Sequence, residues 1–354
     1  MNRKCGKFLC FVLALALLLA GCGKEAESRD ALRLWYQEGA PLAAGLDQLA
    51  ADYNRQKAKN QPPLQLRAFP DEESLLAALG VNPPELLLCP HTLAFSLYDS
   101  GALEDARLSA DYDDALLARS EAVGRGFYPL GSQVTLLYGR GEALESIASL
   151  EDLLDTAAGY GSPFFTAETF APLLYQLMLS RGSEFHALRD RDLKNEHYTA
   201  VYNRFAEAAL AGGLIVREDG PALVQSGALP CVAAASTSLP GAGADGMVFL
   251  PLPGSIPEEA LLARCWGLAV TARPGRAAPF LAWLLAGDRS GSLALDAGLI
   301  PALPGELAAA EGLSALLLTL ARNAALHLPD GDSDFVRNCA GFEAAFRAAL
   351  RVFD

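Results

Sequence analysis

Residues 31–89, ALRLWYQEGAPLAAGLDQLAADYNRQKAKNQPPLQLRAFPDEESLLAALGVNPPELLLC, decide the fold. Ala31–Tyr36 is apolar and β-prone, with Arg33 as its polar exception, and reads as a buried first strand. Leu42, Leu46, Leu49, Ala50 and Tyr53 recur at helical spacing and give one face of a helix over Leu42–Lys57. Leu64–Ala68 alternates as a second strand, and Glu72–Leu79 is a short helix. Asn82-Pro83-Pro84 then turns the chain into an apolar strand, Glu85–Cys89. Strand, helix, strand, helix, strand predicts a parallel sheet with helices on its faces. Ligands of such sheets gather beyond the carboxyl ends of the strands. Those ends are Tyr36–Gly39 and Cys89–Thr92.

Downstream, Gly126–Arg140 is a long extended run with Pro129 and Gly131 in its middle, able to pass from one lobe to another. Ser149–Ala157 predicts a capped helix and Ala171–Ser180 an apolar one. Tyr198–Ala211 is amphipathic, with Val201, Phe205, Ala208 and Ala209 on one face. Leu229–Ala235 and Met247–Leu250 read as strands, as does Cys265–Thr271, which is followed by a helix over Ala277–Leu285. Two helices, Leu313–Leu326 and Phe335–Phe353, close the chain.

At the other end, Arg3, Lys4 and Lys7 precede an apolar run, Phe8–Ala20, too short to span a bilayer, which takes about 20 apolar residues. A charged start, a short apolar middle and small residues at its end make a secretory signal. Leu19-Ala20-Gly21-Cys22 resembles a bacterial lipobox. That resemblance implies a signal peptide over 1–21, lipidation of Cys22 as the mature N-terminus, and a polar tether through residue 30. An ordinary signal peptide with a chance cysteine is the alternative.

The precursor carries a net charge of −14, and removing the three positive charges of residues 1–21 leaves −17. Nucleic-acid binding calls for a basic footprint, so the acidic balance excludes it. It also leaves membrane attachment to the acyl chains. The remaining length of about 330 residues suits two domains. Setting aside Cys5, Cys10 and Cys22, the cysteines Cys89, Cys231, Cys265 and Cys339 are scattered without metal-ligand spacing. Buried free thiols are the simpler reading; three disulfide connectivities remain open. Enzyme motifs are missing: no Gly-x-Ser-x-Gly elbow, no His-Glu-x-x-His, no P-loop and no Rossmann glycine set. The acidic Asp111–Asp114 run lacks the glycine and final glutamate of a calcium loop.

Several stretches, in order, resemble extracellular solute-binding proteins of ABC transporters, in the family 1, sugar-binding-like group. LRLWYQEG (32–39) resembles the opening strand that leads into the cleft. NPPELLLCPHTLAFSLYDSGALEDA (82–106) resembles the family's proline, acidic residue, buried strand and helix, with Glu85 where aspartate is usual. GFYPLGSQVTLLYGR (126–140) resembles the interlobe crossing, though Gly139 and Arg140 depart from its usual Tyr-Asn ending. SLEDLL (149–154) is similar to a family helix start but lacks its tryptophan. CWGLAVTARPGRAAPFLAWLLAGDRSGSLALDAGLIPAL (265–303) resembles the return crossing, the helix after it and the Gly-x-x-Pro turn at Gly298–Pro301.

The resemblance implies an α/β, two-lobe periplasmic-binding-protein-like fold of the class II type, with a ligand cleft between lobes. The first lobe is expected over 31–125 and 265–312, the second over 126–264 and 313–354. It further implies a monomer held on the extracytoplasmic face of the cell membrane by its lipid, without cofactor or metal. Such a protein performs no catalysis; it hands a small solute, a sugar or oligosaccharide, to ABC permease subunits. An organic anion or polyamine ligand is the alternative, as is a sensor or structural lipoprotein of the same fold.

The candidate ligand residues follow from these placements. Trp35 and Tyr36 end the first strand, where alternation turns one of them to the core; Gln37 and Glu38 come next and could accept hydroxyl hydrogen bonds. His91 and Thr92 lie just past the third strand, at a helix start offering free N–H groups; a cap or surface role fits as well. Tyr128, Ser132 and Gln133 lie on the crossing. Phe165, beside Phe164 and Thr166, forms either a stacking wall or a packed turn. Ser236 and Thr237 follow a buried strand, as ligand contacts or an N-cap. Trp266, at the return crossing, suits either the face of a sugar ring or the core.

Overall fold

The computed structural model describes residues 30–118, 120–180, 196–241, 246–252, 261–308, 311–323, 326–327, 343–344 and 346–350. The signal peptide, Cys22 and the tether to residue 29 lie outside the described residues, as do Cys339 and most of the expected last helix. Within that span, 343–344 and 346–350 are helical.

The opening segment folds as its pattern requires. Strand β1 (Leu32–Gln37) pairs in parallel with β2 (Leu64–Phe69), Leu32 opposite Leu64 and Gln37 opposite Phe69. It also pairs in parallel with β3 (Leu86–Pro90). Helix α1 (Ala43–Gln56) buries Leu46, Leu49, Ala50 and Tyr53, and α2 (Glu72–Leu79) is capped by the Asp71 side chain on the Ser74 N–H. Helix α3 (His91–Asp99) starts directly from β3. Alternation along β1 splits the core between the two faces of the sheet. Leu32 and Leu34 join α1 on one face, together with α8 (Pro274–Leu285) and α9 (Arg289–Asp296). Trp35 joins Leu75 of α2 and Ala94 of α3 on the other.

The segment 126–140 forms one 14-residue strand, β4 (Phe127–Arg140), that serves two sheets. Phe127–Val134 pairs antiparallel with β8 (Leu261–Val270), with an irregularity between Pro129 and Gly131; β8 in turn pairs antiparallel with β3, Pro90 opposite Trp266. From Thr135 onward β4 instead pairs with β6 (Cys231–Ala235) and β7 (Met247–Pro251). Strand β5 (Phe165–Ala167) extends this second sheet beside β6. Its core is a separate cluster that includes Leu153, Leu154, Phe165, Leu173 and Phe205. Phe165 comes from β5 and the others from α4 (Leu150–Gly159), α5 (Ala171–Ser180) and α6 (Glu196–Leu210), helices that match their sequence patterns closely; Ser149 caps α4 by accepting the Asp152 N–H. A short helix, α7 (Gly220–Gln225), leads into β6.

The differences from expectation lie near the second crossing. Strand β8 begins at Leu261, four residues before Cys265, because Leu261 pairs with Leu326 of β10 (Leu326–His327) and Ala263 with Val134. The helix over 313–326 therefore stops early, as α10 (Gly312–Asn323), and gives Leu326 to a strand. Helix α8 starts at Pro274 rather than Ala277, a position where proline loses no hydrogen bond. Ile300–Pro301 forms β9, against Gly131 and Ser132. Cys89, Cys231 and Cys265 are buried free thiols.

Candidate functional site

Helix α1 leaves β1 on one face of the first sheet and α3 leaves β3 on the other. The two strands are neighbours, so the chain diverges at their carboxyl ends. That divergence is the topological switch point at which open α/β sheets hold ligands. The crevice is bordered by Gln37–Pro41 on one side and Pro90–Thr92 on the other. In the β4–β8 pairing beside these ends, Gly131 is opposite Trp266, Ser132 opposite Cys265 and Gln133 opposite Arg264. The second sheet contributes the single 3₁₀ turn Ser236–Ser238, which follows β6.

Polar atoms join these pieces. Gln133 Nε2 donates to Thr237 Oγ1 at 2.8 Å, and the Val134 N–H donates to Ser236 Oγ at 3.4 Å. Glu168, just after β5, accepts from the Ala235 N–H at 2.8 Å and from Ser238 Oγ at 2.7 Å, which fixes the turn from behind. Glu38 and Ser238 are exposed; Tyr36, Gln37, Thr92, Gln133 and Thr237 are half-buried. Burial raises the Tyr36 hydroxyl pKa, and the carboxylates of Asp47 and Glu38 push it the same way.

Other candidates are interior. Trp35 is 2% exposed and packs on Phe69 at 5.0 Å, Tyr128 belongs to the core with Leu130 and Leu268, and Phe165 is enclosed in the second sheet. None of these rings presents a face to the crevice; Phe165, read as either a stacking wall or a packed turn, is a buried residue of β5. Strand alternation explains Trp35: Tyr36 is the residue of the pair that it turns outward. His91 is buried, its Nδ1 accepting the Cys265 N–H at 3.1 Å, which ties the start of α3 to β8. Ser132 and Ser236 are buried hydroxyls, and Trp266 is 6% exposed.

Sequence reasoning passed over Arg264. Its guanidinium carbon lies 5.0 Å from the Trp266 ring centroid. The side chain is exposed while Ala263, Cys265 and Trp266 are buried. Neighbouring atoms crowd it enough to lower its pKa from the ordinary arginine value, with the Glu72 carboxylate acting in the opposite sense. Starting β8 at Cys265 hid this residue. Alternation counted from Leu261 puts Ala263 and Cys265 on one face and Arg264 with Trp266 on the other.

A second concavity of about 900 Å³ runs between α1 and α9 and reaches Thr237, Leu239 and Leu313. Gly45, Gln48, Asp52 and Gln56 form its α1 wall, a stripe at helical spacing. Thr237 belongs to this groove and, through Gln133, to the crossing. Among the described residues no group of three or more His, Cys, Asp or Glu is placed to hold a metal ion, and no helix is long and apolar enough to cross a membrane.

No protein-family model matches the chain, and no curated protein matches it. Solved structures do. Maltose-bound MalE3 of T. maritima aligns with TM-score 0.67 and 16% identity over 92% of this chain and 95% of that one. The spermidine/putrescine substrate-binding protein PotD of Streptococcus pneumoniae aligns with TM-score 0.67 and 10% identity over 91% and 99%. A probable secreted solute-binding lipoprotein of Streptomyces coelicolor gives 0.63 and 15% over 93% and 99%. These neighbours are binding proteins rather than enzymes. Over nearly its whole described length, the chain has the two-lobed α/β fold of ABC-transporter solute-binding proteins.

Proposed function

We propose that this chain captures a small polar solute, a carbohydrate, on the extracytoplasmic face of the cell membrane and presents it to an ABC permease. In this reading residues 31–125 and 265–312 form one lobe and 126–264 and 313–354 the other. Cys22 carries the lipid, the protein acts as a monomer, and no catalytic step is involved. The observation that carries the reading is the double service of β4, whose first half belongs to one sheet and whose second half belongs to the other. A small change of twist in such a ribbon swings one sheet toward the other, the hinge closure used by solute-binding proteins. The crevice at the β1–β3 switch point lies beside that ribbon, and Gln37, Glu38, Gln133, Thr237 and Ser238 bring hydrogen-bonding groups to it.

A thermal-shift screen of the chain from Gly23 onward tests the proposal, with mono- and oligosaccharides, polyamines, amino acids and organic anions. A ligand at a hundred times its Kd adds about 2.7 kcal/mol of stability. A saccharide shift is the expected result; a shift only with another class replaces the substrate, and no shift anywhere removes solute capture. One observation favours a second reading, an organic anion: the open cation at Arg264.

A further inference from the structure

We infer that Arg264 is the specificity-determining residue of the cleft and that the captured solute bears an anionic group, a carboxylate or a phosphate; the leading case is an acidic saccharide. The inference rests on the solute-binding reading above and names the chemistry of its ligand.

Most described arginines are held by partners; the Arg107 and Arg140 side chains, like that of Arg264, have none among the described residues, but neither is paired across the β4–β8 ribbon. Arg33 and Arg273 bind Glu85, Arg289 binds the Trp283 and Ala286 carbonyls, and Arg347 binds Glu343 and the Ala167 carbonyl. Among the described residues, Arg264 has no hydrogen bond and no ion pair; its contacts are the Trp266 ring and the more distant charge of Glu72. It lies on the strand that links the two sheets, exposed and open to a solute. An indole under the guanidinium fixes its plane and leaves the edge donors free. That is the arrangement suited to bidentate recognition of a carboxylate or phosphate.

The surroundings agree. Gln133 is the direct cross-strand partner of Arg264 and carries the bond to Thr237, so closure of the second sheet would bring hydroxyl and amide groups to the same place. The register opposite Trp266 is Pro90, whose helix α3 begins without a side-chain cap. Trp266 itself is nine-tenths buried with its indole N–H unpartnered, a donor left over beside the arginine. A polyamine would meet the positive charge of Arg264, and a neutral sugar would leave it unpaired on closure.

The test pairs acids with their neutral counterparts on the chain from Gly23 onward: glucuronate with glucose, galacturonate with galactose, glucose 6-phosphate with glucose, and spermidine as a cationic control. Calorimetry is expected to show an acid bound at least tenfold more tightly than its neutral partner. Whether the uronate or the phosphate wins distinguishes the two anion types. Arg264→Gln keeps the size and hydrogen-bonding capacity. It should weaken the acid at least tenfold, abolish the salt dependence of its Kd, and change the neutral partner's affinity far less than the acid's. Arg264→Lys, which retains charge but not the fork, should fall between. Unchanged melting temperatures of the free variants establish that they fold; a variant that melts early is replaced in the comparison by the salt dependence of the unmodified protein. Equal binding of acid and neutral sugar, or a spermidine hit, overturns the inference and leaves solute capture standing. Silence of every probe overturns both.

Discussion

Glu85 follows the Pro83-Pro84 pair and immediately precedes β3. It stands where the family resemblance expects an acidic residue beside a proline pair, and the structure makes it wholly buried. Its Oε2 accepts from the Arg33 N–H at 3.0 Å and from Arg33 Nε at 3.1 Å, and its Oε1 accepts from Arg273 Nη1 at 3.1 Å. Arg33, the polar exception in an apolar strand, is thus the partner of a charge 52 positions away. Removing one side of such a pair strands the other, so Glu85→Ala should cost about 3–5 kcal/mol in urea unfolding. An Arg33→Met, Glu85→Leu double variant should recover most of that. The cysteines make a second residue-scale prediction. Burial raises the Cys265 thiol to about 12 and raises Cys89 and Cys231 as well. In a Cys339→Ser variant of the chain from Gly23 onward, the folded protein should not react with a thiol reagent at pH 8, and unfolding should release three reactive groups. The folded state holds these protons above the ordinary thiol value of about 8.5, where the unfolded state gives them up, so stability should fall as pH rises from there toward 12. Replacing all three cysteines by alanine should flatten that slope; an unchanged slope would assign it to other groups.

At the scale of the element, the crossing strands depend on missing side chains. A Cβ on Gly267 would lie 2.5 Å from the Tyr128 carbonyl oxygen, and one on Gly131 would lie 2.9 Å from both Ala294 Cβ and Leu299 Cβ. Backbone and packed core cannot yield here as a flexible side chain could. Gly267→Ala should therefore destabilise the chain by about 1–3 kcal/mol, and an unchanged denaturation midpoint would show that the ribbon has slack. The Ser149 cap is a milder case: Ser149→Ala should cost about 1 kcal/mol, read by the same midpoint. These elements also show what the chain makes legible. Helices α1 and α6 are visible in advance because Leu46, Leu49 and Tyr53, or Val201, Phe205 and Ala209, repeat at helical spacing and meet a core. Strands β1 to β3 are visible because short apolar runs alternate with those helices. The start of β8 and the two-residue β10 are not, since Leu261 and Leu326 become strand residues only by finding each other. The carboxyl ends of β1 and β3 are legible at Tyr36–Gly39 and Cys89–Thr92. Gln133 and Thr237 are also named from the sequence; Arg264 is hidden, because only long-range pairing sets where β8 begins.

At the scale of the whole molecule, the same topology that hides the site makes it adjustable. Each sheet carries its own packed faces, with Leu32, Leu46 and Phe280 in one cluster and Phe165, Leu173 and Phe205 in another. A third cluster runs along β4 from Phe127 to Leu136 and Tyr138 and continues to Val232, so the two halves share apolar packing on one side of the ribbon. In the proposed solute capture, the motion that keeps this packing while narrowing the crevice would be a rotation about β4, the strand that carries the Gln133–Thr237 bond. A solute held by groups from both halves binds the narrowed form better, and by linkage it must then shift the population toward that form. Small-angle scattering on the chain from Gly23 should show the radius of gyration, about 20 Å for a compact chain of this length, falling when a solute found by thermal shift is added. The spectroscopic counterpart is a distance between labels on opposite halves, at exposed Leu76 and Leu210. That distance should shorten in parallel with occupancy. A solute that raises the melting temperature while leaving both readouts fixed would mean that it binds one half alone, and the crossing ribbon would then be a rigid strut rather than a hinge.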